Sequence, residues 1–457
     1  MTDLANLLAG IVGAENVVTD AETRAPYEVD WMRRFQGTAK AVVSPASTSE
    51  VAAVVRVCAA SGAGVVAQGG NTGLVGGAVP APDKTSVILR THRLDSLEPV
   101  DEAAGQVTVG AGVPLSRLQE LAAKSGMRFA VDMASRGEAT VGGMVATNAG
   151  GLHVLAHGSM RAQVLGVEAV LAGGEVVSRL GGLVKDNTGY DLAGLLTGSE
   201  GTLGVITQAR LRLLPEMPAK AVALIGVESL GQALTALEAV RGRVVGLEAA
   251  EVLFANGMDL AAEHLGLPRP LARSWPTYAL FECAGATDPT PDLLATLSDL
   301  DLPEGALLVA RDQEERAALW AYREDLPAAV GALGVVHKLD VAVPLTRLEA
   351  FAVALPGALQ DVAPGSSLIV WGHLGDGNLH VNVLGPPPGE GSVDEAVLRL
   401  AAAFQGTISA EHGVGRAKVA WLGLARSPAE IAAMRAIKAA LDPQGVLNPG
   451  VLLATAD

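Results

Sequence analysis

The chain carries the sequence TVGGMVATNAGG at residues 140–151, and this stretch indicates the fold more strongly than any other. Four of its residues are glycines, and three others have an amide or hydroxyl side chain. Backbone without Cβ atoms lets its N–H groups approach a ligand closely. The stretch therefore predicts a loop that holds a large, flat cofactor.

Two further glycine-rich runs support this prediction. The sequence QGGNTGLVGG, residues 68–77, directly follows the apolar run Val65–Ala67, and KDNTGYDL at 185–192 leads to GSEGTLGVIT at 198–207. With 54 glycines in 457 residues, one such loop has about an even chance of being a surface turn, but three together are improbable by chance. Their spacing does not match the Rossmann fingerprint, which disfavours a nicotinamide enzyme.

Composition limits the classes of protein to which the chain can belong. Its length predicts two or three domains. A net charge of −16 repels phosphate backbones, so we expect no nucleic-acid partner. Two cysteines, Cys58 and Cys283, are too few for a disulfide framework, and the first residues lack the pattern of a signal peptide. No apolar run is typical of a membrane span, so we expect a cytoplasmic protein.

Hydrophobic periodicity predicts two α+β domains and a C-terminal segment. Residues 1–215 alternate strand-like and helical runs, including a helix over Ser49–Ala60 with Ser49 as its N-cap. The proline-containing break at 214–218 marks a boundary, after which strands are predicted at Ala221–Val227 and Thr277–Cys283 with a helix between them. The predicted domains are 1–215, 216–405 and 406–457, the last fifty residues being largely helical.

The sequence GHLGDGNLHVNV, residues 372–383, carries the strongest chemical signal. Asp376-Gly377 between two strand-like runs predicts a hairpin with a two-residue turn, which would place His373 directly opposite His380. Two imidazoles so placed can share one metal ion. The alternative is a hairpin with two polar-face histidines, and we favour the metal because a carboxylate–histidine pair follows later in the chain.

That pair is Glu411-His412, within the sequence SAEHGVG. Glu411 can add an oxygen ligand to two imidazoles, which leaves open positions typical of a catalytic metal. Zinc, manganese and iron all suit such ligands. His412 would remain free to act as a general base, although most adjacent Glu-His pairs are solvated surface.

Arg323 and Lys338 are the candidate cations for an anionic substrate. Arg323 lies in WAYRE and Lys338 in HKLDV. A guanidinium group offers a fork that matches a carboxylate, and an ammonium group adds a point charge. Each residue alone is more often a surface charge.

The glycine loops, together with KDNTGYD and GSEGTLG, resemble the FAD-binding domain of the vanillyl-alcohol-oxidase-like, PCMH-type flavoproteins, in particular the D-2-hydroxyglutarate and D-lactate dehydrogenase branch. The resemblance spans about residues 38 to 450. It implies an α+β fold with a PCMH-type FAD domain of two α/β subdomains, an α+β cap domain with an antiparallel sheet and a helical C-terminal segment. Because Asn71 stands where a flavin-linked histidine can occur, it implies non-covalent FAD. The residues expected to contact FAD are Gly69, Gly70, Asn71, Thr72, Gly73, Gly76, Gly77, Thr140, Gly142, Gly143, Thr147, Asn148, Gly150, Gly151, Glu200, Gly204, Ile206 and Asn448.

The same resemblance implies roles for the polar residues of the second half. His373, His380 and Glu411 would bind a divalent metal, with zinc preferred and manganese or iron as alternatives. His412 would be the catalytic base, and Arg323, Lys338 and Asn382 would contact the substrate. It implies metal-assisted oxidation of a D-2-hydroxy acid, with hydride transfer to FAD.

The resemblance leaves the exact substrate open. Pro327 stands where the hydroxyglutarate enzymes tend to have a threonine, so D-lactate, D-malate and glycolate remain alternatives to D-2-hydroxyglutarate. A non-catalytic metal-binding protein is a remote alternative. With no cysteine cluster in the chain, we expect electrons to leave through a separate carrier such as an electron-transfer flavoprotein. A homodimer is expected from the same resemblance.

Overall fold

The structure is a computed structural model that describes residues 2–334, 336–387 and 389–454. The chain forms two compact units. The first unit consists of Met1–Gly151, Gly158–Glu216 and Glu411–Asp457, and the second of Leu152–His157 and Met217–Ala410. The C-terminal segment thus belongs to the first unit, and a six-residue segment from the first half of the chain belongs to the second.

In its described residues, the first unit contains ten strands and most of the short helices. Its strands are β1 Val17–Val18, β2 Val42–Val43, β3 Gly64–Gln68, β4 Ser86–Arg90, β5 Gln106–Gly110, β6 Met127–Arg128, β7 Val164–Val170, β8 Val176–Ser178, β9 Val205–Arg212 and β10 Leu214–Pro215. Its helices are α1 Thr2–Val12, α2 Ala21–Arg24, α3 Thr48–Ala60, α4 Leu115–Lys124, α5 Val141–Thr147, α7 Met160–Gln163, α8 Leu192–Leu196, α16 Leu422–Ala425 and α17 Pro428–Leu441.

Two four-stranded sheets organise this unit. The first has the order β1-β2-β4-β3, in which β2, β4 and β3 run parallel, and the second has the antiparallel order β5-β9-β7-β8. Valine is frequent in these strands, and β-branched side chains pack well on a pleated surface. The sheets and their helices enclose a large hydrophobic core that includes Val65, Leu89 and Leu211.

The described residues of the second unit form one large sheet. Its strands are β11 Ala219–Val227, β12 Leu247–Phe254, β13 Thr277–Gly285, β14 Leu307–Val309, β15 His337–Ala342, β16 Ser367–His373 and β17 Asn378–Leu384. Its helices are α6 Val154–His157, α9 Leu230–Arg243, α10 Ala255–Leu265, α11 Thr290–Ser298, α12 Gln313–Glu324, α13 Leu326–Ala332, α14 Leu345–Gln360 and α15 Gly391–Ala403.

The strands of this sheet follow the order β14-β11-β13-β12-β16-β17-β15, and every neighbouring pair is antiparallel. Trp275, Tyr278 and Trp371 are among the large side chains of its core. An α+β fold with an antiparallel sheet in the second half is therefore confirmed. No helix in the described part of the chain is long and apolar enough to cross a membrane.

Three predicted features need correction. Helix α3 begins one residue earlier than predicted, and Ser47 rather than Ser49 caps it by accepting a hydrogen bond from the Glu50 N–H. The strand–helix–strand prediction for the start of the second unit missed β12 and α10, which lie between α9 and β13. The last fifty residues are only partly helical, because the chain from Glu411 to Lys418 forms bends and turns.

Candidate active site

The hairpin formed by β16 and β17 differs from the prediction in its register. His373 pairs with Asn378, and His380 pairs with Trp371. The connecting loop therefore has four residues rather than two. Gly377 has a positive φ of 77°, whereas a type I′ turn would require one at Asp376 as well. The predicted direct pairing of His373 with His380 is therefore wrong.

The two histidines nevertheless lie together. The register differs by an even number of residues, which keeps both side chains on one face of the sheet as diagonal neighbours. Their ring centroids are 5.2 Å apart, with an angle of 81° between the ring planes. His373 is buried and His380 is partly buried. The two imidazoles are close enough to contribute to one site.

Glu251 on the neighbouring strand β12 orients the first imidazole. Its Oε1 lies 2.7 Å from His373 Nδ1, and its Oε2 accepts a hydrogen bond from Arg323 Nε at 2.6 Å. Glu251 is 0% exposed. With Nδ1–H donated to the carboxylate, Nε2 of His373 keeps a lone pair for a metal ion. Sequence analysis missed this residue.

A second carboxylate stands beside the other imidazole. Asp340 Oδ1, on β15, is 3.6 Å from His380 Nδ1 and accepts a hydrogen bond from Asn378 Nδ2 at 2.7 Å. Its Oδ2 accepts from the Ala410 N–H at 3.1 Å. A buried carboxylate thus lies near the Nδ1 of each histidine, and at His373 it is within hydrogen-bonding distance, as is typical of metal-binding histidines. The donor set fits a divalent metal.

The Glu251–Arg323 pair leads to a stability prediction. We expect Glu251→Ala to lower the free energy of unfolding by about 3–5 kcal/mol, because it leaves the buried Arg323 guanidinium without its carboxylate. Chemical denaturation of the purified protein measures this. Glu228→Ala, which removes the partner of Arg273 in an exposed pair, should cost at most about 1 kcal/mol. Equal losses in both variants would show that the buried pair has no special role.

The three predicted substrate residues lie on helix α12 and strands β15 and β17. Arg323 is buried and bound to Glu251. Burial lowers the pKa of Lys338, which pairs with Asn382 across the two strands. The Asn382 amide donates to the carbonyls of Ile369 and His380 at 3.2 and 3.1 Å. Their contact with substrate stays a prediction.

Glu411 and His412 belong to the first unit. The carboxylate of Glu411 accepts a hydrogen bond from the Gly151 N–H at 2.8 Å. A Cβ atom at Gly150 would lie 2.3 Å from Oε1 of Glu411, so that glycine is required for the approach. Two glycines predicted to contact a cofactor therefore contact Glu411. Its role as a metal ligand, and that of His412 as a base, stay predictions.

The first two glycine loops pack against each other. A Cβ at Gly70 would lie 1.8 Å from the carbonyl oxygen of Glu138, and one at Gly69 would lie 2.2 Å from Thr140 Oγ1. Asn71 has a left-handed φ of 56°, and its side-chain amide donates to the Val29 carbonyl at 2.9 Å. The loops that the sequence predicts as a cofactor site are therefore neighbours in this unit.

The second glycine-rich run was predicted as a loop, but its residues Val141–Thr147 form helix α5. Thr140 is its N-cap and accepts a hydrogen bond from the Gly143 N–H. Thr147 Oγ1 donates to the Gly143 carbonyl at 2.9 Å, and Asn148 ends the helix at a left-handed φ of 52°. A Cβ at Gly142 would lie 2.6 Å from the Ala111 methyl group. The small residues of this run thus allow close packing of the helix.

The third loop joins the C-terminal segment and the first loop. Glu200 accepts hydrogen bonds from the N–H groups of Val414 and Gly415 at 2.8 and 2.6 Å, and its burial raises its pKa. Asn448 Nδ2 donates to the carbonyls of Gly77 and Glu200 at 2.9 and 2.7 Å. Asn448 Oδ1 and Ser199 Oγ are buried, and neither has a hydrogen-bond partner within the described ranges. Such orphaned atoms fit a polar ligand like FAD at this junction.

The remaining residues predicted to contact the cofactor line the same loops. Ile206 is a buried residue of β9, and Gly204 precedes that strand. Thr72, Gly73, Gly76 and Gly77 complete the first loop, where Gly76 has a φ of 69° and a Cβ would meet the Phe35 ring. The structure thus brings the predicted loops together in the first unit, while their contact with FAD stays a prediction.

The close approach at Gly70 allows a direct test. We expect Gly70→Ala to lower the free energy of unfolding of the flavin-free protein by about 1–3 kcal/mol, because the new methyl group overlaps a backbone carbonyl. Denaturant titration measures the loss. Gly73→Ala is the matched control, since none of the described atoms lies within 4 Å of its Cβ position. A loss of the same size at Gly73 would contradict the packing described for the loop.

Two family matches cover most of the chain. Residues 39–179 match the family described as FAD binding domain, and residues 216–452 match that described as FAD linked oxidases, C-terminal domain. The chain is 38% identical to the mitochondrial D-2-hydroxyglutarate dehydrogenase of Bos taurus, over 99% of this chain and 84% of the relative. It is 36% identical to the corresponding protein of Arabidopsis thaliana, over 96% of this chain and 79% of the relative.

A bacterial relative and two solved structures extend the comparison. The D-2-hydroxyglutarate dehydrogenase of Xanthomonas citri pv. viticola is 35% identical over 98% of this chain and 96% of the relative. Substrate-bound p-cresol methylhydroxylase is similar in fold, with a TM-score of 0.78 at 16% identity over 98% of this chain and 96% of that chain. The 4-ethylphenol oxidase from Gulosibacter chungangensis has a TM-score of 0.76 at 17% identity with the same coverage. Together with the orphaned polar atoms among the glycine loops, the full-length matches show that the chain belongs to the FAD-linked oxidases, in the group that contains the D-2-hydroxyglutarate dehydrogenases.

Proposed function

We propose that this protein oxidises a D-2-hydroxy acid to the 2-oxo acid, with D-2-hydroxyglutarate as the first candidate substrate. The observation that carries the proposal is the pair His373–His380, each with a buried carboxylate near its Nδ1. It occurs in a chain that is 35–38% identical to D-2-hydroxyglutarate dehydrogenases over nearly its full length. FAD, when bound, supplies the hydride acceptor for the C2 hydrogen of the substrate.

The imidazoles of His373 and His380 are proposed as ligands of a divalent metal, preferably zinc, and Glu411 as the third ligand. A metal in such a site lowers the pKa of a hydroxyl group that it binds. Glu251 would hold the His373 ring in the orientation required for binding, and Asp340 lies 3.6 Å from Nδ1 of His380. The support for Glu411 comes from its motif, SAEHGVG, and the family resemblance.

His412 is proposed as the group that removes the proton from the C2 hydroxyl. The hydroxyl proton passes to the imidazole while the hydride leaves C2, so the substrate loses two electrons and two hydrogens in all. A histidine that does not bind metal can accept a proton near neutral pH. The residue next to it, Glu411, is held by Gly151, which restricts the conformations of this part of the chain.

Arg323, Lys338 and Asn382 are proposed to select the substrate. The second carboxylate of D-2-hydroxyglutarate or D-malate would require a cation to bind it. D-lactate and glycolate have one carboxylate only and would not require that cation. Pro327 lies in the first turn of α13, where it offers no side-chain hydroxyl group. That substitution, and a putative D-lactate dehydrogenase from Schizosaccharomyces pombe at 33% identity, keep D-lactate as the second candidate.

A substrate panel tests the proposed reaction. The FAD-loaded enzyme is assayed with an artificial electron acceptor on D-2-hydroxyglutarate, D-malate, D-lactate and glycolate, before and after chelation. We expect the highest kcat/KM with D-2-hydroxyglutarate and loss of turnover after chelation. Equal rates on all four acids would refute selection by a second carboxylate. A protein that purifies with metal but never binds FAD would support a non-catalytic role instead.

Lys338 provides the sharpest test of substrate selection. We expect Lys338→Ala to raise the KM for D-2-hydroxyglutarate at least about 10-fold, since one charge-assisted hydrogen bond contributes roughly 1.5–3 kcal/mol. The KM for D-lactate should change much less. Arg347→Ala, at an exposed cation of the same unit, is the control and should leave both values unchanged. A parallel rise for both acids would show that Lys338 does not read the distal carboxylate.

An electron-transfer flavoprotein is proposed as the carrier that reoxidises the flavin, with the protein acting in the cytoplasm as a homodimer. The support is the chain's lack of a cysteine cluster for internal electron transfer, and the family resemblance. Reduction of purified electron-transfer flavoprotein by enzyme and substrate tests the first point. Sedimentation velocity tests the dimer, and localisation of a tagged protein tests the compartment.

A further inference from the structure

A second group of histidines and carboxylates occurs in the second unit, away from the His373–His380 pair in sequence. It consists of His153, His157, Glu248 and Glu282, which we name the His153 cluster. One ligand atom from each of His153, Glu248 and Glu282 lies within 4.8 Å of the others. We propose that the His153 cluster is a separate binding site for a divalent metal ion such as zinc.

A single helical turn places the two histidines side by side. His153 precedes α6, and the His157 N–H donates to the His153 carbonyl at 3.0 Å. Residues four apart on a helix lie on the same face, one above the other. Both imidazoles therefore point to the same side of the short segment, where each meets a carboxylate.

A local irregularity in the sheet brings the two glutamates together. Leu247 pairs with Cys283 and Ala249 with Glu282, so Glu248 is an additional residue on β12 opposite β13. A bulge of this kind re-aims a side chain that regular alternation would direct elsewhere. Glu248 and Glu282 thereby reach the histidines of one helical turn from adjacent strands.

The distances in the cluster fit metal ligands better than direct hydrogen bonds. His153 Nε2 is 3.3 Å from Glu282 Oε1, and His157 Nε2 is 3.4 Å from Glu248 Oε1. Four ligands at about 2.1 Å in a tetrahedron are about 3.4 Å from one another. Two other buried histidine–carboxylate pairs of this unit are closer, with 2.7 Å at His373–Glu251 and 2.8 Å at His337–Asp394.

The environment of the carboxylates also favours a cation. Glu248 is 4% exposed and Glu282 is 7% exposed, so two negative charges are largely removed from water. Buried charges require compensation, and the positive charge of Lys220 acts on Glu282. A divalent ion would balance both carboxylates.

Glu282 has a neighbour of the kind that orients metal-binding carboxylates. Trp320 Nε1 donates to its Oε2 at 2.6 Å, which leaves Oε1 directed toward His153. Outer hydrogen bonds of this kind fix a ligand before the metal binds. The one imidazole nitrogen and two carboxylate oxygens that lie within reach of one ion suit zinc, manganese or iron(II). The bound ion would attach residues 152–157 to strands β12 and β13.

Metal counting on the full-length, FAD-loaded protein tests the proposal. The protein is stripped with a chelator, reloaded with zinc and dialysed, and its zinc content is measured by elemental analysis. We expect two zinc ions per chain in the wild type and one in the His153→Gln variant. The affinity of the His153 cluster for zinc should be at least about 10-fold weaker in this variant than in the wild type. His380→Ala should also retain one ion, bound at the His153 cluster. The count in this variant therefore tests the His153 cluster independently of the proposed metal at His373 and His380.

Two controls keep the result interpretable. Glu248→Gln keeps the shape of the side chain and should lose the same ion, even where His153→Gln disturbs folding. His264→Gln removes one histidine of an exposed pair, His264–Asp325, also at 3.4 Å, and should leave the count unchanged. Zinc should raise the Tm of His380→Ala but not of His380→Ala combined with Glu248→Gln. Equal zinc content in the wild type, His153→Gln and Glu248→Gln would overturn the proposal and identify the cluster as two ordinary ion pairs.

Discussion

Replacing His412 by glutamine is expected to lower kcat for D-2-hydroxyglutarate by about 10²–10⁴-fold, the usual contribution of a general base. Glutamine keeps the approximate size of the side chain but cannot take up a proton near neutral pH. FAD binding should persist, because the glycine loops and their contacts are unchanged. Steady-state kinetics at saturating substrate, with flavin content measured on the same preparation, provide the result.

His92→Gln is the matched control for this variant. His92 also belongs to the first unit, and its burial lowers its pKa, but no role is proposed for it. We expect turnover of this control within about 2-fold of the wild type, as for a substitution away from the reacting groups. A His412→Gln enzyme that turns over at the rate of His92→Gln would exclude His412 as the base.

Replacing His380 by alanine is expected to lower kcat/KM at least about 100-fold, because the lost Lewis acid contributes several kcal/mol to transition-state stabilisation. Chelation of the wild type should lower kcat/KM by a similar factor. Chelation of the His380→Ala variant should cause little further loss of kcat/KM. His380 is only partly buried, so the substitution removes little packing. Activity before and after chelation, with elemental analysis, measures the effect.

His264→Ala is the control for the loss of an imidazole from the same unit. His264 lies on the exposed surface of helix α10 and pairs with Asp325. We expect its activity and its sensitivity to chelation to equal those of the wild type. If His380→Ala retained full activity, or if chelation never altered the rate of the wild type, the proposed metal would have no part in turnover.

The pairing of the two imidazoles could be predicted from sequence, although its register could not. Strand alternation determines the face on which each side chain lies. The observed register differs from the predicted one by two residues, so both imidazoles remain on the same face. The turn was misjudged at Asp376. Asp-Gly favours a two-residue turn, but Gly377 alone has a positive φ here. Whether the turn has two or four residues is decided by the pairing of the flanking strands.

The carboxylates behind the imidazoles were beyond prediction from local patterns. Glu251 lies 122 residues before His373 and belongs to a strand that was not predicted. The sequence of β12, LEAAEVLF, begins with residues that favour helices, and its pairing with β13 and β16 overrides that preference. The contact of Gly151 with Glu411 spans 260 residues and was equally inaccessible.

The glycine-rich runs could be predicted only in part, because residues Val141–Thr147 form helix α5 rather than a loop. Their lack of Cβ atoms has a direct physical meaning, and the overlaps at Gly69 and Gly70 show where a larger residue would collide. The internal hydrogen bonds of Glu200 and Asn448 were not predicted. These two side chains connect the third loop, the first loop and the C-terminal segment. Such contacts between distant segments depend on the completed fold.

Rapid mixing of the FAD-loaded enzyme with D-2-hydroxyglutarate in the absence of oxygen tests the central claim most directly. The proposed mechanism predicts that the visible absorbance of the oxidised flavin is lost within one turnover, with one 2-oxoglutarate formed per flavin. L-2-hydroxyglutarate should leave the absorbance unchanged. A flavin that stays oxidised with D-2-hydroxyglutarate, D-malate, D-lactate and glycolate alike would contradict it.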